Sequence, residues 1–256
     1  MLLPSPDSFA ALARSSPWRW STLRFTARWP GDRYRTEALR AWLRRPDDLR
    51  VETLDGEFRQ VVHQPRTTVA VLSFPPTDQT RWTYPWPLEA AARAPGPRPD
   101  GLIGVRPPHL SYDAPMYRDY SWVAMLDPAE LADGARGAAQ PLIVEAVREV
   151  DHGGRPAWEA VVRPTPSYEP RCGCCPLLRS REVDLAEYGP GADQVLAEYP
   201  EAFRVRLDVG TGVCVLTGEI GGLSPGAGHD LRIEAVDDPM DDELFHEPRR
   251  GPARRQ

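Results

Sequence analysis

Apolar and polar residues alternate along the first part of the chain. The segment LRFTARW (23–29) has an apolar residue at every second position, and ALRAWLR (38–44) repeats the pattern. A two-residue period is typical of strands with one buried face. The pair Asp55-Gly56 lies between two further strand-like stretches and predicts a tight hairpin turn. The pattern therefore predicts a series of strands, which continues at TVAVLSF (68–74).

Two more hairpins and a final strand are predicted in the second half of the chain. The segment 141–164 has its turn at DHGG, and the segment 203–222 turns at the glycine-rich stretch 210–212. The segment HDLRIEAVDD (229–238) has the composition of a last strand.

Helical patterns are few. A short helix is predicted at 7–14, and 116–134 is predicted to be helical in two pieces, because Pro128 can start a helix but cannot continue one. Strands recur without a regular alternation of strand and helix. The predicted fold class is therefore mainly β (α+β), with a curved antiparallel sheet and a few helices.

The chain is predicted to form one domain over residues 1–248, since neither an internal repeat nor a domain boundary is evident. A proline- and aromatic-rich insertion at about 75–111 has the length of a functional loop or lid. The acidic stretch 237–245 and the basic stretch 249–256 are both expected to be solvated tails, because blocks of like charge usually stay disordered.

Composition argues against a nucleic-acid-binding protein, a membrane-spanning protein and a secreted protein. The formal net charge of −6 argues against a nucleic-acid binder, whose affinity depends on a basic face. No apolar run approaches the roughly 18 residues of a membrane span. The first twenty residues lack a basic region followed by a continuous apolar stretch, so we expect a cytoplasmic protein with reduced cysteines.

All 31 basic residues are arginine, and the sequence contains no lysine. P-loop proteins, protein kinases, pyridoxal-phosphate enzymes and Schiff-base aldolases each need a lysine amine. These classes are excluded for this chain. The motifs H-E-x-x-H and G-x-G-x-x-G after a strand are also absent, so no organic cofactor is expected.

Two stretches of the chain resemble the superfamily of the lipoprotein carriers LolA and LolB. In 25–56, a strand ends in an Arg-Pro-Asp turn and the next strand ends in Asp-Gly; in 203–245, a Leu-Asp-x-x-Thr-Gly hairpin precedes a final strand and an Asp-x-x-Leu-Phe end. The resemblance implies a divergent, cytoplasmic LolA-like domain. It implies a half-open antiparallel β-barrel with helices covering the concave face, and a cavity for a small apolar molecule or an acyl chain.

Four cysteines are the candidate metal ligands, namely Cys172, Cys174, Cys175 and Cys214. Zinc in a structural site needs four ligands, usually from two short Cys-x-x-Cys pairs. The spacing here is Cys-x-Cys-Cys, and adjacent cysteines in extended backbone point in opposite directions, so one thiol of the run is expected to miss the metal. None of the five histidines has a spacing typical of metal ligands.

Two other interpretations of PRCGCCPLL (170–178) stay open. A redox or nucleophilic role would need a cation nearby, which Arg171, Arg179 or Arg181 could supply. The favoured interpretation is structural, a tight turn whose cysteines pack as small apolar groups. In either case we predict a compact turn with at least one thiol facing the C-terminal hairpin that carries Cys214.

Aromatic residues in and beside the insertion are the candidate ligand-binding residues. They could form a lid over the concave face of the sheet, or they could fill that face as an ordinary core. The candidates are Trp82, Tyr84, Trp86, Tyr117, Tyr120 and Trp122.

Three functional hypotheses follow. The first is a binding protein for a small apolar or amphipathic ligand. The second is a cofactor-independent enzyme on the same scaffold, which a polar constellation inside the cavity would favour and an entirely apolar cavity would oppose. The third is a scaffold that docks a protein partner, not identified by the sequence, through its acidic and basic stretches at 237–245 and 249–256.

Overall fold

A computed structural model describes residues 3–63, 68–70, 81–83, 97–106, 114–133, 140–194 and 196–248. Its main sheet is formed by β1 (Thr22–Arg28), β2 (Leu39–Arg44), β3 (Asp48–Thr53), β4 (Phe58–His63), β7 (Leu142–His152), β8 (Arg155–Pro164), β9 (Ala202–Asp208), β10 (Cys214–Ile220) and β11 (Gly228–Val236). A second sheet pairs β5 (Thr68–Ala70) with β6 (Arg81–Thr83). The α-helices are α1 (Pro6–Ser15), α2 (Ser121–Leu126) and α3 (Arg181–Tyr188), and short 3₁₀ segments occur at Ser16–Trp18, Ala129–Leu131, Gly189–Gln194 and Asp242–Phe245.

The main sheet is antiparallel and open. Its strand order is β4-β3-β2-β1-β11-β10-β9-β8-β7, so β4 and β7 are edges that do not pair with each other. Two meanders, one from each half of the chain, join where β1 pairs with β11, with Leu23 opposite Val236. This arrangement confirms the predicted fold class, a mainly β protein with a curved, unclosed antiparallel sheet and few helices.

The insertion contains more regular structure than the sequence predicts. Residues 81–83 form β6 and pair with β5, whereas the segment was expected to be a loop. The strand predicted at 68–74 is described only over 68–70, and it belongs to the small sheet rather than the large one. Residues 71–80, 84–96 and 107–113 lie outside the described part of the chain.

The buried face of the main sheet packs against α1 and α2. The N-terminus of α1 has a capping box in which Ser5 and Ser8 satisfy each other's backbone N–H groups. Phe9 and Leu12 on this helix are fully buried. The ring centroid of Trp122 on α2 lies 5.7 Å from that of Phe25 on β1. The helix α2 therefore packs aromatic side chains into the core against the sheet. None of the helices in the described ranges has the length and apolar character required to cross a membrane.

The break after α2 positions a buried carboxylate. As predicted, the helix ends before Pro128, and a 3₁₀ turn follows it. Asp127, at this break, is fully buried and accepts hydrogen bonds from both Arg106 and Arg171. Burial alone would raise the pKa of Asp127, but the two guanidinium groups hold it below its usual range. Arg171, the residue before the cysteine run, is thereby fixed to the core.

The acidic stretch 237–245 is not the solvated tail that was expected. Arg44 on β2 donates to Asp242 at 2.7 Å, and its guanidinium lies 4.7 Å from the ring centroid of Phe245. Phe245 is 1% exposed, because the 3₁₀ segment packs on β3. An apolar residue at the end of an acidic block therefore docks the block onto the sheet. Residues 249–256 lie outside the described residues.

Candidate functional site

A cavity of about 560 Å³ lies beside the C-terminal hairpin. Its walls come from the loop after β1 (29–35), from α2, from the segment 174–179, from Leu196 and Glu198 before β9, and from the β10–β11 hairpin between Thr217 and His229. Five parts of the chain therefore share one concave surface.

His229 is part of the cavity wall and is fixed in one tautomer. Its Nε2 lies 2.8 Å from the carbonyl oxygen of Cys214, and its Nδ1 lies 2.9 Å from the hydroxyl of Thr217. Since a carbonyl can only accept, Nε2 carries the proton and Nδ1 accepts from Thr217. Burial lowers the pKa of His229 to about 4, so the imidazole is neutral at physiological pH.

Charged groups of both signs also line the cavity. Burial raises the pKa of Glu219 on β10, although the charge of Arg179 opposes the shift. Arg35, on the opposite wall, donates to the hydroxyl of Ser121 at 2.8 Å and forms an ion pair with Asp119. The cavity wall is therefore mixed rather than entirely apolar.

Three thiols of the cysteine run come together at the edge of this cavity. The Sγ atoms of Cys172, Cys174 and Cys175 all lie within 4.8 Å of one another. The distance from Cys172 to Cys174 is 2.9 Å, and that from Cys174 to Cys175 is 3.8 Å. The expectation that one thiol would point away is wrong, because the backbone turns at Gly173 and Cys174 instead of running extended. We call residues 172–175 the cysteine turn.

Cys214 is not part of this group. It is fully buried at the start of β10, and its thiol lies 3.6 Å from the carbonyl oxygen of Leu216. The structure thus brings together three of the four predicted metal ligands. Cys174 and Cys175 line the same cavity as Thr217 and Glu219, which places the cysteine turn opposite the C-terminal hairpin.

A buried glutamate holds both ends of the cysteine turn. The carboxylate of Glu130, which is 2% exposed, accepts the backbone N–H of Arg171 at 2.9 Å and that of Leu177 at 3.2 Å. It also accepts the hydroxyl of Tyr168 at 2.6 Å. Burial, together with the Glu130 charge, raises the pKa of Tyr168 well above its usual range, so the phenol stays protonated and donates.

A second buried carboxylate supports the turn from the side of α3. Arg179 donates to the carbonyl oxygen of Cys174 at 2.7 Å and to Asp184 at 2.5 Å. Asp184 is fully buried and accepts the hydroxyl of Tyr199 at 2.9 Å. The helix itself begins at the Ser180 cap, whose hydroxyl accepts the N–H of Val183. The backbone in and beside the cysteine turn is therefore held at three points, the N–H groups of Arg171 and Leu177 and the carbonyl group of Cys174.

The three thiols differ in acidity. Burial alone would raise the pKa of Cys172, but hydrogen bonds from the thiols and backbone amides of Cys174 and Cys175 outweigh it and lower the pKa. The hydrogen bond to Cys172 raises the pKa of Cys174, and burial raises that of Cys175 well above its usual range. Cys172 is therefore the first of the three to become a thiolate.

The predicted aromatic lid is only partly described. Tyr117 and Trp122 are buried, and their rings lie 5.2 Å apart in the core, while Tyr120 is 41% exposed. Trp82 belongs to β6, of whose side chains nothing is described. Tyr84 and Trp86 lie outside the described residues.

Two other aromatic residues, Trp29 and Tyr34, line the cavity. The alternating pattern of 23–29 placed Trp29 on a strand face, and no pattern pointed to Tyr34. The signal that could have found both is their position on either side of the turn PGD (30–32), where a strand ends and side chains are free to face a ligand.

Comparisons with known proteins give little further information. No protein-family model matches the chain, and no curated protein matches it. A crystal structure of MucB is similar with 16% identity and a TM-score of 0.38, over 93% of this chain and 62% of that one. The complex of Pseudomonas aeruginosa MucA and MucB is similar with 16% identity and a TM-score of 0.37, over 93% of this chain and 60% of that one.

This chain thus spans about three fifths of the length of those solved chains. At such identities and TM-scores, no conclusion about function follows from the likeness. The resemblance to the LolA and LolB carriers remains a prediction from the sequence.

Proposed function

We propose that the protein binds a small amphipathic molecule in the cavity between the cysteine turn and the β10–β11 hairpin. The observation that carries the proposal is the cavity itself, whose volume is about 560 Å³. Pockets for small molecules typically measure about 300–1,000 Å³ and combine apolar walls with a few polar groups.

The walls of the cavity favour a ligand that carries both polar and apolar groups. Trp29 and Leu177 supply apolar surface, whereas Thr217 and Glu219 supply polar groups, and polar atoms make up about half of the lining. Hydrogen bonds and apolar contact would therefore both contribute to the binding free energy, and the polar groups would fix the orientation of the ligand. A pure hydrocarbon chain would leave Glu219 buried without a partner from the ligand, so an amphipathic molecule fits better.

Acid–base catalysis is the alternative function, because polar groups line the cavity. The histidine in the cavity argues against it, because both ring nitrogens of His229 already have partners within the protein. A proton shuttle needs one nitrogen free to reach the substrate. His229 is therefore not available as a proton shuttle, and acid–base catalysis would have to use Glu219, whose pKa is raised by burial.

Native mass spectrometry of protein purified from its own host, followed by organic extraction, tests the proposal. We expect an adduct that disappears on denaturation and that is recovered in the organic extract. The variant Ser224→Trp places a large side chain at the exposed edge of the cavity and should reduce the adduct at least tenfold, about 1.4 kcal/mol in affinity.

The matched control is Ser167→Trp, the same substitution at an exposed loop serine away from the cavity. It should retain the adduct at the wild-type level. The proposal is contradicted when the wild-type protein carries no adduct, or when the two variants retain it equally.

A further inference from the structure

We propose that the cysteine turn binds one thiophilic metal ion, zinc in the first instance, through the Sγ atoms of Cys172, Cys174 and Cys175, with a further coordination position open to the cavity. The proposal does not depend on the organic ligand proposed above, because it is tested with the metal alone. The site needs reduced thiols, as in a reducing cellular compartment.

The distances between the sulfurs are close to those of a metal site. Zn–S bonds of about 2.3 Å in a tetrahedral site place the sulfurs about 3.8 Å apart. The Sγ atoms of Cys174 and Cys175 are 3.8 Å apart, and those of Cys172 and Cys174 are 2.9 Å apart. The shorter distance is well above the roughly 2.05 Å of a disulfide. A small side-chain rotation at Cys172 would complete a triangle of metal ligands.

Buried groups hold the backbone that carries the sulfurs. Metal ligands are typically oriented by hydrogen bonds from residues that do not touch the metal. Glu130 is almost fully buried, and its carboxylate accepts the N–H groups of Arg171 and Leu177, one on either side of the cysteine turn. Arg179 holds the carbonyl group of Cys174 and is itself held by the buried Asp184. Two buried carboxylates thus fix the backbone that carries the thiols, so little entropy is lost when the thiols converge on an ion.

Three thiols would fill three of the four coordination positions of a tetrahedral zinc ion. Among the described residues, the group of ligand atoms within 4.8 Å of one another comprises only the three thiols. Cys214 is buried in β10 and outside that group. Zinc sites with three protein ligands keep the fourth position for water or a bound molecule, whereas purely structural sites are closed by four. Because Cys174 and Cys175 line the cavity, the open position faces the space where a ligand would lie.

Titration of the reduced, chelator-treated full chain with Cd²⁺ and Zn²⁺ tests the proposal. Cd²⁺ reports each bound thiolate by ultraviolet charge-transfer absorption, and we expect one ion per chain with three thiolates. Metal binding should release protons, since thiols bind as thiolates. Each of Cys172→Ser, Cys174→Ser and Cys175→Ser should weaken metal binding at least about 100-fold. Loss of a residue that only hydrogen-bonds to a metal ligand weakens binding about 10–100-fold, and loss of the ligand itself should cost at least as much.

The control is Cys214→Ala, which removes the cysteine outside the turn and should leave stoichiometry and affinity unchanged. Alkylation gives a second measurement should a serine variant fail to fold. Zinc is expected to protect three thiols of the wild-type protein, as counted by mass spectrometry.

Three results would overturn the proposal. The first is reduced wild-type protein that takes up no ion, the second is an equal loss of affinity in Cys214→Ala, and the third is alkylation that zinc does not slow. An oxidised chain that carries a Cys172–Cys174 disulfide and binds no metal after reduction would assign the turn to redox chemistry instead.

Discussion

His229 is held neutral by its surroundings. Both ring nitrogens are hydrogen-bonded, one to Thr217 and one to the carbonyl group of Cys214, and the ring is fully buried. The charges nearest to it act in opposite directions, because Asp230 favours the protonated ring whereas His152 and Arg35 oppose it. Burial is the dominant influence. Protonation of His229 would therefore cost both a hydrogen bond and the solvation of a charge.

This neutrality predicts a dependence of stability on pH. The pKa of His229 is lowered to about 4 in the folded protein, while an unfolded histidine has its ordinary value near 6.5, so the unfolded chain binds more protons between these two values. The free energy of unfolding should consequently fall as the pH falls through this window, by roughly 3 kcal/mol at most.

Urea unfolding at a series of pH values measures the effect. His229→Asn should flatten the slope between about pH 6.5 and pH 4, and His246→Asn, at an exposed position, should not. Identical slopes in wild type and His229→Asn would refute the account.

Glu130 is a second residue on which we expect both stability and metal binding to depend. Its carboxylate accepts from three donors, and glutamine at the same position would direct an NH₂ group at one of them. Glu130→Gln should lower the free energy of unfolding by about 1–3 kcal/mol, the cost of a buried donor left without an acceptor. It should also weaken Cd²⁺ binding about 10–100-fold while one ion per chain still binds.

Glu145→Gln is the comparison variant, since Glu145 pairs with Arg163 at a half-exposed position. It should change the free energy of unfolding by less than about 1 kcal/mol and leave Cd²⁺ affinity unchanged. Equal effects of the two substitutions would show that Glu130 does not position the thiols.

Among the elements, α1 lies in close contact with the β9–β10 turn. A Cβ atom at Gly212 would lie 2.6 Å from the carbonyl oxygen of Leu12 and 3.2 Å from the Cα atom of Ser16. These are backbone atoms of α1 and of the segment after it, so they cannot move as a flexible side chain would. The glycine therefore sets how closely the helix approaches the sheet.

A comparison of two hairpin glycines separates the cost of the close contact with α1 from the cost of the left-handed conformation. Gly212 and Gly56 both have positive φ values, 73° and 88°, but a Cβ atom at Gly56 would meet nothing within 4 Å. Gly56→Ala should cost about 1–2 kcal/mol for the left-handed conformation alone. Gly212→Ala should cost at least about 2 kcal/mol more, from the forced separation of α1. Thermal and urea unfolding measure both, and equal losses would contradict the packing argument.

The acidic segment 237–245, which docks on the sheet, should contribute to the free energy of unfolding. Phe245 is 1% exposed against the sheet, so Phe245→Ala should lower the free energy of unfolding by about 3–5 kcal/mol. Truncation after residue 248 should leave stability within about 0.5 kcal/mol of wild type. A Phe245→Ala protein as stable as wild type would mean that the segment lies on the sheet without stabilising it.

For the whole molecule, local patterns were enough to predict most strands but not how the strands meet. Alternation located β1 and β2, and Asp55-Gly56 located the turn between β3 and β4, because these signals lie within a few residues. The strand β6 and its pairing with β5 were missed, because β6 lies in a proline-rich part of the sequence.

The site was less predictable than the fold. Three thiols were recognised from their spacing, yet Cys214 was grouped with them although the fold buries it in β10. The role of Glu130 has no local signal, because its partners Tyr168, Arg171 and Leu177 belong to a different part of the chain. A cavity formed by five segments of the chain likewise appears only when the sheet is assembled.

The pairing of β1 with β11 has a consequence for synthesis on the ribosome. Leu23 is made early, whereas its partner Val236 leaves the peptidyl-transferase centre more than two hundred residues later. At about 5–20 residues per second, the first meander spends some ten seconds or more with one edge of β1 unpaired. An unpaired edge can pair with another chain. Nascent chains should therefore depend on chaperones most strongly before residue 236 emerges, and a stall within β11 should make them aggregate.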